Sequence, residues 1–207
     1  MTAPASEVST RRSTESAPVT RSGGRRETRL RLLHAAADLF LTRGYTATTI
    51  DEIARHAGFT RGATYTYFPH KHRLAEEVAE DLCRHAVARI RCFQPRGFDH
   101  LVTTLATWAG LAVSRPGWVR LELDLAALRP ASRADSTQRV TVLRAVIGEL
   151  LAATADPNRR RGDPDLAVTF LLSVVVGMAT QHANGLAIPA HRIRSQIELV
   201  LRATTAA

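Results

Sequence analysis

The residues from Ala57 to Lys71, AGFTRGATYTYFPHK, hold two of the chain's three tyrosines, two of its six phenylalanines and its only lysine. Within that run, Thr60, Arg61, Gly62, Ala63, Tyr65 and Tyr67 are the types a short helix needs to read a nucleic-acid duplex. Donors around such a helix reach phosphate oxygens and fix register, while its first turn reaches base edges. Arg61 could form the bidentate pair with guanine O6 and N7, or meet phosphate. Gly62 costs about 1 kcal/mol in a helix relative to Ala; it either permits close backbone approach to a ligand or marks a loosely formed first turn. Ala63 is small enough to face a thymine methyl, and Tyr65 and Tyr67 join apolar rings to hydroxyl donors. Phe59 and Phe68 lack a polar tip and belong to a core.

Such side chains need a helix pair to hold them. From Arg25, Leu32, Ala36, Leu39 and Phe40 recur at helical steps, and Gly44 supplies a stop. Thr48 or Thr49 then caps a short helix carrying Ile50, Ile53, Ala54 and Ala57, which ends at Gly58. Thr60 caps a third helix that ends before Pro69. Three short helices, the last two joined by a tight glycine turn, follow helix-turn-helix grammar. Beyond Pro69 the pattern stays helical. One helix runs to about Ile90; Asp99 caps the next, with Trp108 inward. Pro116 opens another with Trp118, Leu121, Leu125 and Leu128 on one side. Leu143 to Leu151 mark a seventh, 156–162 form a polar loop, and Asp163-Pro164 starts a helix apolar nearly all round. Pro189 precedes the last. The expectation is an all-α chain of about nine helices.

Composition narrows the function classes. Residues 1–26 carry five Arg against two Glu, and residues 27–74 carry seven basic residues against four acids. The first third therefore holds two thirds of the net +9, as expected for a polyanion partner near the N-terminus or for a solvated basic tail. Residues 1–24 are Ser/Thr/Pro-rich and read as a disordered arm. No apolar run approaches the roughly 20 residues of a membrane span, and the N-terminus lacks the apolar core of a signal peptide, so a cytoplasmic protein with no membrane partner is expected. Cys83 and Cys92, nine residues apart on one helix, cannot bridge each other. No His/Cys spacing suggests zinc, and no metal or cofactor is expected.

Residues 49–74, TIDEIARHAGFTRGATYTYFPHKHRL, together with the upstream RLLHAAADLFLTRGYTATT, resemble the helix-turn-helix signature of TetR/AcrR-type transcriptional regulators. The resemblance covers about 50 residues; the remainder matches in length and layout. It implies a DNA-binding domain over 25–72 (motif 49–68) and a helical ligand-binding and dimerisation domain over 73–207. By its motif, the positions of Thr49, Tyr65, Tyr67 and Lys71 contact phosphate, and those of Arg61, Gly62, Ala63 and Thr66 face base edges. Three positions depart from the family pattern: Thr64 replaces an apolar residue, His70 a usual cap, and His72 an acid. A charged His70 at a helix N-terminus would oppose the dipole.

The resemblance further implies a homodimer through helices at about 163–184 and 190–203, placing two reading helices about 34 Å apart on a palindromic operator. It implies a small-molecule pocket, for which Trp108 and Trp118, with His85, Arg120, Glu122, Met178 and His182, are candidate lining; the tryptophans serve equally as core. The leading expectation is a ligand-released repressor. A ligand-independent regulator or activator is the alternative. An enzyme using Glu122 and Asp124 is disfavoured, because residues two apart face different sides of a helix.

Overall fold

In a computed structural model of the chain, residues 21–128, 130–154 and 163–205 are described, and every regular element among them is an α-helix. The order is α1 (Arg21–Arg43), α2 (Ile50–Ala57), α3 (Arg61–Tyr67), α4 (Lys71–Arg91), α5 (Phe98–Ser114), α6 (Gly117–Leu128), α7 (Pro130–Thr154), α8 (Pro164–Ala183) and α9 (Ala190–Thr205). Most boundaries fall where the sequence punctuates. Gly44 leaves α1 at φ 90° and its N–H bonds Phe40 O, while Gly58 closes α2 at φ 76°; both are left-handed positions that favour glycine.

Four expectations are corrected. First, α1 starts at Arg21, inside the segment read as an arm; residues 1–20 and the loop expected over 156–162 lie outside the described residues. Second, Asp99 does not cap α5. Gly97 holds that position at φ 86°, and Asp99 sits in the first turn, paired with Arg194 of α9 at 2.6 Å. Third, Leu128 is exposed rather than inward. Fourth, α8 is long and apolar enough to cross a membrane by length and composition. It packs instead against α5, α7 and α9, with Ala167, Val168, Leu171, Val175, Met178 and Ala179 buried.

Apolar burial, the main favourable term in folding, divides into two cores. Leu32, Ala36, Phe40, Ile53 and Phe68 form the first, joined by Leu74 and Val78 from the start of α4 and by Leu121 and Leu125 of α6. Val87 and Ile90, at the end of α4, join Leu105, Trp108, Ile147, Leu171 and Ile197 in the second. Helix α4 thus serves both cores, and beyond α4 the first core takes Leu121 and Leu125 from α6. The contact between them is close: a Cβ on Gly117 would lie 2.0 Å from Leu41 O, so α6 begins directly against the backbone of α1.

Candidate nucleic-acid interface

The site is built on caps. Thr49 precedes α2 in an extended conformation and its hydroxyl accepts from Glu52 N at 3.2 Å, while Glu52 accepts from Thr49 N at 2.8 Å. This reciprocal capping box satisfies two donors at the helix start. The backbone bond from Thr49, then the bond from its hydroxyl, hold the Glu52 carboxyl below the usual glutamate range. Thr48, the other cap candidate, is buried, and its hydroxyl bonds Gly44 O at 2.8 Å. At the far end of α2, Gly58 and Phe59 N–H groups return to Arg55 and Ala54 carbonyls. Arg31 donates to Ala57 O at 2.8 Å and lies over the Phe59 ring at 4.8 Å, a cation placed where the helix dipole favours one.

Two residues later Thr60 starts α3, its hydroxyl accepting from Ala63 N at 3.2 Å. One side of this helix turns to solvent: Arg61, Gly62, Tyr65 and Thr66 are exposed and Ala63 is half-buried. The other side is core. Phe68 is buried as expected, and Phe59 is half-buried under Arg31. Thr64 is fully buried, and its hydroxyl returns to Thr60 O at 3.2 Å. A threonine is therefore tolerated at an apolar position, because the helix's own carbonyl satisfies its hydroxyl. Above Gly62 there is open space, with nothing within 4 Å of where a Cβ would be. Among the described residues, no neighbour requires glycine there.

The expected phosphate-contacting residues occupy different situations. Tyr65 is exposed, its ring beneath the Arg61 guanidinium at 5.5 Å. Tyr67 is half-buried against the first core. Arg61 itself donates to Asp51 of α2 at 3.1 Å and to the Tyr65 hydroxyl at 3.4 Å; Tyr65 first and Asp51 second raise its pKa. Lys71 opens α4 with its ammonium on two carbonyls, Tyr45 O and Thr48 O, each at 2.9 Å, and over the Tyr45 ring at 4.1 Å. Burial lowers its pKa. An ammonium has three N–H donors, so one remains for an outside oxygen. His70 occupies the cap position of α4 without a side-chain cap bond, its ring stacked on His72 at 5.2 Å.

Of the seven residues expected around a pocket, Trp108, Met178 and Trp118 meet in or against the second core, while Arg120, Glu122, His85 and His182 have neighbours of their own. Trp108 and Met178 are spent in the second core. Trp118 is half-buried with its indole N–H buried and unpartnered. Arg120 is exposed and covers Gly44. Glu122 pairs with Arg139 at 2.7 Å, and His85 is exposed beside Asp81 at 3.2 Å. His182 Nδ1 meets Leu186 O at 3.2 Å. A cleft of about 260 Å³ between α4 and α7 is lined by other residues, among them Arg73, Glu76, Glu80, Asp135 and Arg139. Sequence reading missed Asp51 and Arg31. Both lie one helix away from what they hold, so no local spacing signals them.

A capped helix pair carrying an exposed polar helix, set on an all-α body, has helix-turn-helix geometry. Residues 32–78 match the family model described as bacterial regulatory proteins, tetR family. The HTH-type transcriptional regulator SrpR of Pseudomonas putida is 44% identical over 52 residues, 25% of this chain and 24% of that protein. The HTH-type transcriptional repressor KstR2 of Rhodococcus jostii is 31% identical over 86 residues, 42% of each. The chain thus spans about a quarter to two fifths of the curated relatives it matches. Two solved structures share the fold over most of the chain. A putative TetR-family regulator from Mesorhizobium loti aligns with TM-score 0.71 at 18% identity, covering 90% of this chain and 98% of that one. A putative regulator from Saccharomonospora viridis, solved with choline, aligns with TM-score 0.75 at 20% identity, covering 87% and 98%. Residues 32–78 thus form a segment similar to the N-terminal domain of tetR-family bacterial regulatory proteins.

Proposed function

We propose that the protein is a dimeric, sequence-specific DNA-binding regulator, a repressor released from a palindromic operator by a small molecule. The observation that carries the DNA reading is the outward face of α3. Arg61, Gly62, Tyr65 and Thr66 are exposed, and the space above Gly62 lets another backbone or base edge approach closely. Arg61, Gly62, Ala63 and Thr66 face the bases; Thr49, Tyr65, Tyr67 and the remaining donor of Lys71 meet phosphate. The dimer reading is supported by apolar side chains the chain leaves uncovered on α8 and α9: Leu166, Phe170, Val176 and Leu199 are exposed, with Ser173 and Gly177 among the α8 residues allowing close approach.

Effector release rests on the resemblance, and the unpartnered indole N–H of Trp118 is the polar group it would engage. The separate engagement of Glu122 with Arg139, His85 with Asp81 and His182 with Leu186 favours a second reading, a regulator that acts without a ligand. Footprinting of the purified protein on the DNA upstream of its own gene, repeated with candidate ligands, separates the two. A protected palindrome released by a ligand supports the first reading; a palindrome that no ligand releases supports the second. Absence of any protected or selected sequence would refute both.

A further inference from the structure

Resting on the DNA-reading role of α3, we propose that Asp51 is a positioning residue that sets the guanidinium of Arg61 for base reading and keeps it off the phosphate backbone. Arg61 is the first residue of α3, and a side chain of that length on an exposed turn has many rotamers to choose from. Here two neighbouring groups hold it. Asp51 Oδ2, in the first turn of α2, accepts from Nη1 at 3.1 Å, and the Tyr65 hydroxyl accepts from Nη2 at 3.4 Å. The Tyr65 ring lies beneath the guanidinium. Arginine has five N–H donors in a rigid fork, so three remain for a base edge.

Asp51 is free for this task because Thr49 and Glu52 complete the α2 cap between them. It is also an unfavourable residue for a surface that meets phosphate. A carboxylate there repels the backbone and cancels the charge with which Arg61 would seek it, while leaving the directional donors of the guanidinium in place. The expected trade is weaker binding to any sequence in exchange for discrimination at one base pair, since phosphate contacts position and base contacts specify.

The test is selection of binding sites from a random duplex library with the full-length wild-type protein and with Asp51→Asn, Asp51→Glu, Arg61→Ala and the Asp51→Asn/Arg61→Ala pair. Thermal melting of each variant accompanies the selection. Arg61→Ala should relax one position in each half-site. Asp51→Asn should relax the same position, reducing discrimination there by about tenfold, within the range of one good bidentate pair. On unrelated duplex it should bind more tightly, with a salt slope steeper by about one phosphate contact. Asp51→Glu should restore the preference, and Asp51→Asn should change nothing further once Arg61 is alanine. Relaxation of several positions together, an undiminished effect in the Arg61→Ala background, or an unchanged preference in a folded Asp51→Asn protein each overturns the proposal. If the wild-type protein selects no sequence, the DNA-reading role fails and this inference falls with it; a wild-type preference that Asp51→Asn leaves intact removes the inference alone.

Discussion

Lys71 directs its charge inward, onto the carbonyls of Tyr45 and Thr48 that end the turn between α1 and α2. Replacing it with methionine keeps the stem and removes both charge-assisted bonds. The expected cost is about 2 kcal/mol, read as a lower urea midpoint at unchanged slope, together with weaker DNA binding. A Lys71→Met protein as stable as wild type would show that these carbonyls find other donors. Glu52 gives a residue-level pH dependence. Its folded pKa is depressed by the bonds from Thr49, so its contribution to stability is complete above the unfolded glutamate pKa. That contribution is lost as pH falls through the lower folded value. Melting temperature should therefore fall less steeply on acidification for Glu52→Gln than for wild type, from a lower starting point at neutral pH. Parallel acid limbs would contradict the sign.

At the scale of the elements, the contact between α1 and α6 is the tightest the glycines reveal. Gly117→Ala would drive a Cβ to 2.0 Å from Leu41 O and 2.6 Å from Leu41 Cα, which backbone cannot yield without moving a helix. Since Leu121 and Leu125 follow on α6 and sit in the first core, the displacement should loosen the helix-turn-helix unit itself. Overpacking of this kind costs about 1–3 kcal/mol, and calorimetry should find it; a melting point within a degree of wild type would mean that α6 slides without resistance. The cap of α4 offers the reverse change. His70 has the extended backbone of a cap but no cap bond, so His70→Ser should stabilise by about 0.5–1 kcal/mol. Its failure to raise the melting temperature would assign that energy to the His70–His72 stack.

For the whole molecule, the uncovered side chains of α8 and α9 set the expected assembly. Phe170 and Leu199 are 50% and 68% exposed, and placing glutamate at both should convert the proposed dimer to monomers by sedimentation. Operator affinity should drop with it, because one reading head contacts only half a palindrome. A double variant that still sediments with the wild type moves the interface elsewhere.

Much of this molecule is punctuated locally. Thr49, Gly58, Thr60 and Pro69 mark their helix ends by chemistry that acts within one turn, and the exposed face of α3 follows from its own letters. That much the chain determined by itself, because a cap, a left-handed glycine and a missing N–H do not depend on what packs nearby. Only the folded chain decided that Lys71 clamps a turn, that Asp51 brackets Arg61, that α6 seats two leucines in the first core and that Glu122 pairs with Arg139. Each of those depends on which helix arrives alongside, and the packing of one helix against another is set by side chains distant in sequence, not by spacing along either one.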